Sequence, residues 1–382
     1  MRLHGRTNLA EFLGDRVVYR NLEPADRRLP GLQAAWREMG LAGPRVPRKA
    51  ELEYARVIAY LLRRAEALRA PGPELQRFLY IGDTRLLDGT AYRNLLQVTG
   101  WRGLAFIASE KRSEAPCMER EDTLFVANRW ALVGDFLTRA EAEGVPVGPG
   151  TAVVLDLDKT AFGARGRNDE AVDRARVDGV RETVAAMLGA HFDEGAFGQA
   201  YVELNQPAYH DFTADNQDYL AYICLAIGAG LIGFRELLGA VREGRLRDFQ
   251  GFLARVGPQA ARAGGHLAAI HSEIAGRVAA GDPTPFKAFR RREYLATVAR
   301  LGHLPDDVPA ETRLREEILI TQEVREAALA ARHRGALVFG LSDKPDEASL
   351  PTEEARAQGL RALHHTTTHA YGESLKRPWG AA

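Results

Sequence analysis

The stretch from Thr151 to Thr160, Thr-Ala-Val-Val-Leu-Asp-Leu-Asp-Lys-Thr, constrains this chain more than any other. Ala152 to Leu155 is a short apolar, β-branched run behind Gly148-Pro149-Gly150, the pattern of a strand buried on both faces of a parallel sheet. The run ends on two carboxylates, Asp156 and Asp158. Period-2 geometry turns both to the same side for as long as the chain stays extended. Open α/β sheets build their sites at the C-terminal ends of the strands. Two acids there are costly unless a cation or a reaction uses them.

The chain before this strand alternates. Glu51 to Ala70 carries apolar residues at helical spacing and stops at Pro71-Gly72-Pro73; Arg77 to Ile81 reads as a strand, Asp88 to Val98 as a helix, Gly103 to Ala108 as a strand and Arg129 to Gly144 as a helix. Residues 109–127 read as irregular. From Asp169 to Arg334 only helical runs follow, with breaks at Gly257-Pro258, Gly281-Asp282-Pro283 and Pro305; strand character returns at Ala336 to Leu341. Leu360 to Thr367 reads as one more strand. The expected fold class is therefore α/β, a doubly wound parallel sheet with a large all-α domain. Residues 51–160 and 336–382 form the core, 161–335 a helical insert placed to cover a site, and 1–50 an N-terminal extension.

Composition narrows the function classes. With 382 residues, two domains are the expectation. Lys plus Arg and Asp plus Glu are 51 each, so nothing suggests a nucleic-acid or membrane-surface binder. Cys117 and Cys224 are too few for a disulfide framework, and residues 1–20 hold no apolar signal segment, which together predict a cytoplasmic protein. The most apolar segment, Tyr219 to Phe234, is too short for a membrane span. Oligomeric state and substrate identity leave no trace in the sequence.

Three apolar strands end in polar signatures: Gly82-Asp83 with Asp88 beyond, Asp156-x-Asp158-x-Thr160, and Ser342-Asp343-Lys344. If the strands are neighbours, acids, a hydroxyl and an ammonium converge on one sheet edge. Hard oxygen donors of this kind suit Mg²⁺. A carboxylate there can attack phosphorus, a second can serve as general acid and base, and the hydroxyl and ammonium can hold phosphoryl oxygens.

These segments resemble the haloacid dehalogenase-like (HAD) phosphohydrolase superfamily. Asp156-Leu157-Asp158-Lys159-Thr160 is similar to motif I, the strand ending at Ser342 to motif II, and Gly82-Asp83-Thr84-Arg85-Leu86-Leu87-Asp88 to motif IV in its GDxxxxD form. Motif IV stands ahead of motif I, so the chain resembles a circularly permuted member cut before the motif IV strand. In the family's sheet order, 5-4-1-2-3, the motif IV strand still adjoins the motif I strand. The resemblance implies Asp156 as nucleophile and Mg²⁺ ligand, Asp158 as general acid/base with its carbonyl on the metal, Asp83 and Asp88 as further metal ligands, and Thr160 and Ser342 on the phosphoryl group. It also requires a lysine. Under that cut it lies after Ser342, where only Lys344 and Lys376 qualify; Lys376 has the family's spacing. The activity implied is hydrolysis of a small phosphorylated metabolite through an aspartyl-phosphate. Phosphotransfer to another acceptor, a non-catalytic binding protein on the same scaffold, and a glycosyltransferase DxD are the alternatives.

Several polar groups have simpler readings. His364, His365 and His369 invite a metal, but the Thr366-Thr367-Thr368 run opposes a helical i, i+4 pair and no Cys is near, so structural roles are expected. Tyr201, Asn205, Tyr209, His210, Asp211, Asp215 and Asp218 read as a helix-connecting loop or a pocket lining. Arg165 and Arg167 read as flap residues for an anion, or as solvated. Arg290-Arg291-Arg292 reads as a solvated helix face.

Overall fold

In a computed structural model, which describes residues 1–69, 72–376 and 379, the chain forms two compact units. One comprises Met1–Arg174 and Thr297–Ala382, the other Ala175–Ala296. The helical unit is thus shorter than the insert read from the sequence. Residues 161–174 and 297–335 belong with the sheet, because Asn168 bonds the Glu317 carbonyl and the Leu319 amide, tying the two segments together.

The strands, in chain order, are β1 (Arg2–Thr7), β2 (Val17–Val18), β3 (Arg77–Gly82), β4 (Arg102–Ala108), β5 (Met118–Glu121), β6 (Leu124–Ala127), β7 (Thr151–Asp156), β8 (Ile320–Thr321), β9 (Leu337–Leu341) and β10 (Thr368–Gly372). Seven of them form one sheet in the order β2-β9-β7-β3-β4-β6-β5, parallel throughout except for the β5–β6 pair. β1, β10 and β8 form a second, three-stranded sheet. Every residue of β7 and β9 is buried, which is why both read as continuous apolar runs rather than alternating ones. The Leu52–Ala67 and Leu87–Thr99 helices close one face over Phe78, Tyr80, Val154 and Phe339. On the other face Phe136 of the Val133–Ala142 helix stacks on Phe106 and Phe125. The sheet is doubly wound, as expected.

Four local readings need correction. Residues 1–50 are not an appendage: Val17 and Val18 form the edge strand beside β9, and Arg2–Thr7 pairs with β10. The 109–127 segment folds into the β5–β6 hairpin, and the last strand begins at Thr368, after a 3₁₀ turn at Leu363–His365. In the helical unit the break falls at Gly264-Gly265, both at positive φ, while the Phe249–Ala263 helix runs through Gly257 and Pro258. The sequence stop at Ala70 and Pro71 lies outside the described residues.

The helical unit carries its own core, with Phe252, Tyr222, Leu237, Val256 and Ile274 at its centre. Arg290 is not solvated. It is buried against Asp218 and Glu293, at 2.6 Å from each. No helix among the described residues is long and apolar enough to cross a membrane.

Candidate active site: a buried carboxylate cluster around Lys49

Register brings the three strand ends level. β3 and β7 pair Ile81 with Leu155, and β7 and β9 pair Asp156 with Leu341. Gly82-Asp83, Asp156 and Ser342 therefore meet at the C-terminal edge of three adjacent parallel strands. Carboxylate oxygens of Asp83, Asp88 and Asp156 lie within 4.8 Å of one another, all three residues buried.

Asp88 sits in the first turn of the Leu87–Thr99 helix and its carboxylate turns back under β3. Its Oδ2 accepts from the Asp83 amide at 3.0 Å, the Thr84 amide at 2.8 Å and the Thr84 hydroxyl at 2.9 Å. Its Oδ1 accepts from the Tyr80 hydroxyl at 3.0 Å and meets Lys49 Nζ at 2.5 Å. Gly82 allows this approach, since a Cβ there would stand 2.6 Å from Asp88 Cγ. Asp88 is thus held firmly by its donors, and it belongs with Asp83 and Asp156 to the buried triad that could hold a metal.

Lys49 is the lysine of the site. Its Nζ bridges Asp88 Oδ1 and Asp156 Oδ1, the latter at 2.6 Å, with 5% of the side chain exposed. It stands just ahead of the Leu52–Ala67 helix that leads into β3. Lys376 is exposed and lines a separate cavity with Leu132, Asp135 and Thr138, without any of the three acids; Arg377 and Pro378 beside it lie outside the described residues. Lys344 is buried past β9, where its amide donates to Ser342 Oγ at 3.0 Å. One signal pointed to Lys49: only six lysines exist, and it alone lies directly ahead of the helix feeding the Gly82-Asp83 strand.

The other candidates fall into place with fewer contacts. β7 ends at Asp156, and Lys159 adopts φ +62° in the turn that follows, so Asp158 leaves the strand and stands partly exposed outside the buried triad. Thr160 is fully buried; its carbonyl accepts from the Thr321 hydroxyl, and its own hydroxyl has no hydrogen-bond partner among the described residues. Arg165 bonds Asp83 Oδ2. Arg167 is buried between Glu110 and Glu323, a structural ion pair rather than a substrate contact. Asp218 and Tyr209 are likewise used internally, by Arg290 and by Glu203.

The electrostatics follow from three buried acids sharing one ammonium. Burial pushes the Asp156 carboxyl well above its ordinary range, with Lys49 offsetting part of the shift. Burial and the neighbouring Asp88 push Asp83 up to about 7, against the pull of Arg165. Asp88 goes down: burial opposes its charge, but Lys49 and the Thr84 amide outweigh it. For Lys49, burial opposes the charge and Asp156 and Asp88 overcome it, so it stays an ammonium. The raised Asp156 and Asp83 are what burial without enough positive charge produces, and a further cation would favour their ionised forms. The carboxylate oxygens of the cluster are hard donors suited to Mg²⁺. No family model matches the chain, and no curated protein or solved structure does.

Proposed function

We propose that the sheet unit is a Mg²⁺-dependent phosphomonoester hydrolase of the haloacid dehalogenase-like type, acting on a small phosphorylated metabolite through an aspartyl-phosphate. The observation that carries this reading is Lys49 Nζ held between Asp156 and Asp88, with Asp83 in the same cluster. The order β4-β3-β7-β9-β2 supports it, being 5-4-1-2-3 if the chain is opened between the second and third family strands. Lys49 then takes the place of the family's lysine, ahead of the motif IV strand.

Asp156 attacks phosphorus and the bond from phosphorus to the ester oxygen breaks. Asp158, partly exposed and two residues on, gives its proton to that oxygen. It then takes a proton from water, which attacks the acyl phosphate, releasing phosphate and restoring the Asp156 carboxylate. Lys49 aims Asp156 and offsets part of the burial penalty on its charge, and Ser342 offers its hydroxyl to a phosphoryl oxygen while its amide is held by the Val18 carbonyl at 2.9 Å. Asp156 and Asp83 would hold Mg²⁺, which would supply charge neutralisation on the transferring group.

Hydrolysis of p-nitrophenyl phosphate with Mg²⁺ tests this. Asp156→Asn is expected to lower the metal-dependent rate by about 10³-fold or more, since the nucleophile itself is lost. Equal metal-dependent rates in variant and wild type would sink the assignment.

A further inference from the structure

We propose that Asp15, His364 and His365 form a second metal site, for a first-row transition ion of the Zn²⁺ kind, at the mouth of the cavity beside them. Asp15 Oδ1 lies 2.7 Å from His365 Nε2 and 3.3 Å from His364 Nε2, so two imidazole nitrogens converge on one carboxylate oxygen. All three ligand atoms lie within 4.8 Å of one another. Tetrahedral ligands about 2.0–2.1 Å from zinc stand roughly 3.3 Å apart, so an ion replacing the bridging protons needs only a small spreading of the group.

The backbone that carries these side chains is pinned. The Asp15 carbonyl accepts from Val17 at the start of β2 and from Asp26, at 2.8 and 2.9 Å. The 3₁₀ turn is held by Leu363 N to Ser349 O at 3.0 Å and His365 N to Ala362 O at 2.9 Å. Behind the nitrogens, His364 Nδ1 meets the Tyr19 hydroxyl at 2.9 Å. With an ion in place of the Nε2 proton, Nδ1–H would donate to that oxygen, the usual support of a metal-bound imidazole. Asp15 and His365 are partly exposed on a cavity of about 590 Å³, which leaves an entry path and room for water on the open positions.

Two nitrogens and one carboxylate suit zinc, cobalt or nickel, whereas the oxygen-only cluster at Asp156 suits magnesium. The two sites are therefore separable, and this one does not depend on the phosphatase reading.

The test is titration of the chelator-stripped full chain with Co²⁺, followed by visible absorption, then displacement by Zn²⁺. It is run in wild type and in Asp156→Asn, so that binding at the other cluster is subtracted. One equivalent of Co²⁺ is expected, displaced by Zn²⁺ and not by excess Mg²⁺, in both proteins. His365→Ala and Asp15→Asn are expected to weaken it by about 100-fold, and Tyr19→Phe by about tenfold. Circular dichroism confirms that each variant is folded; because His365 and Asp15 are surface groups, either one alone decides the question. Unchanged Co²⁺ affinity in a folded His365→Ala or Asp15→Asn protein, or no binding by wild type, would overturn the proposal.

Discussion

Replacing Lys49 with methionine keeps the side-chain length and removes one ammonium from between two buried carboxylates. Breaking a buried pair by deleting one partner costs about 3–5 kcal/mol, because a charge is left without compensation. The cost has a ceiling, since a carboxyl escapes it by taking a proton. Holding a carboxyl neutral costs about 1.36 kcal/mol per pH unit above its unfolded value near 3.9, thus about 5.6 kcal/mol at pH 8 and about 1.5 at pH 5. At pH 8 the ceiling lies above the penalty, and the full loss of about 3–5 kcal/mol is expected. At pH 5 protonation is cheaper, and the loss shrinks to about 2 kcal/mol. The other acids leave this difference intact. Asp88 in the wild type has a depressed folded value, so its contribution is lost only in acid, below this window. Asp83, raised to about 7 mainly by burial, adds stability as pH falls from 7 towards 4, in variant and wild type alike. The four tryptophans, Trp36, Trp101, Trp130 and Trp379, all belong to the sheet unit, so urea unfolding followed by their fluorescence reads it alone. A loss below about 1 kcal/mol at pH 8, or one that grows on going to pH 5, would refute the shared-ammonium account.

Other perturbations reach different parts of the molecule. Gly82→Ala drives a Cβ against Asp88, which five donors hold in place, so a loss of about 1–3 kcal/mol is expected in the same fluorescence assay, together with loss of phosphatase activity. Arg167→Met leaves Glu323 buried without this cation and Glu110 with only Arg129 at 3.7 Å, and is expected to destabilise the sheet unit by about 3–5 kcal/mol by urea unfolding. Pro258→Ala acts in the helical unit. The proline is exposed in mid-helix, and restoring the amide bond is expected to stabilise that unit by about 2 kcal/mol, after allowing for a looser unfolded chain, measured by far-UV circular dichroism.

What could be read from the sequence, and what could not, follows from how each signal is made. β3, β7 and β9 are buried on both faces, so each writes an unbroken apolar run bounded by glycine and polar residues. Asp83, Asp156 and Ser342 are legible because they directly follow or end those runs. The edge strand β2 is two residues long, and two valines carry no period. Missing it turned the first fifty residues into an appendage and left Lys49 out of view of the strand ends. Lys49 acts on a carboxylate 107 residues away and lies in an irregular Arg/Pro-rich segment, so no local pattern marks it. The strand ends at Asp156, so the period of two does not extend to Asp158, which stands partly exposed. Asp15, His364 and His365 met the same obstacle: their convergence spans 349 residues and depends on β2 and a 3₁₀ turn, two elements too short to announce themselves. In this chain the polar groups at the ends of long buried strands could be read directly, while those placed by short elements needed the fold first.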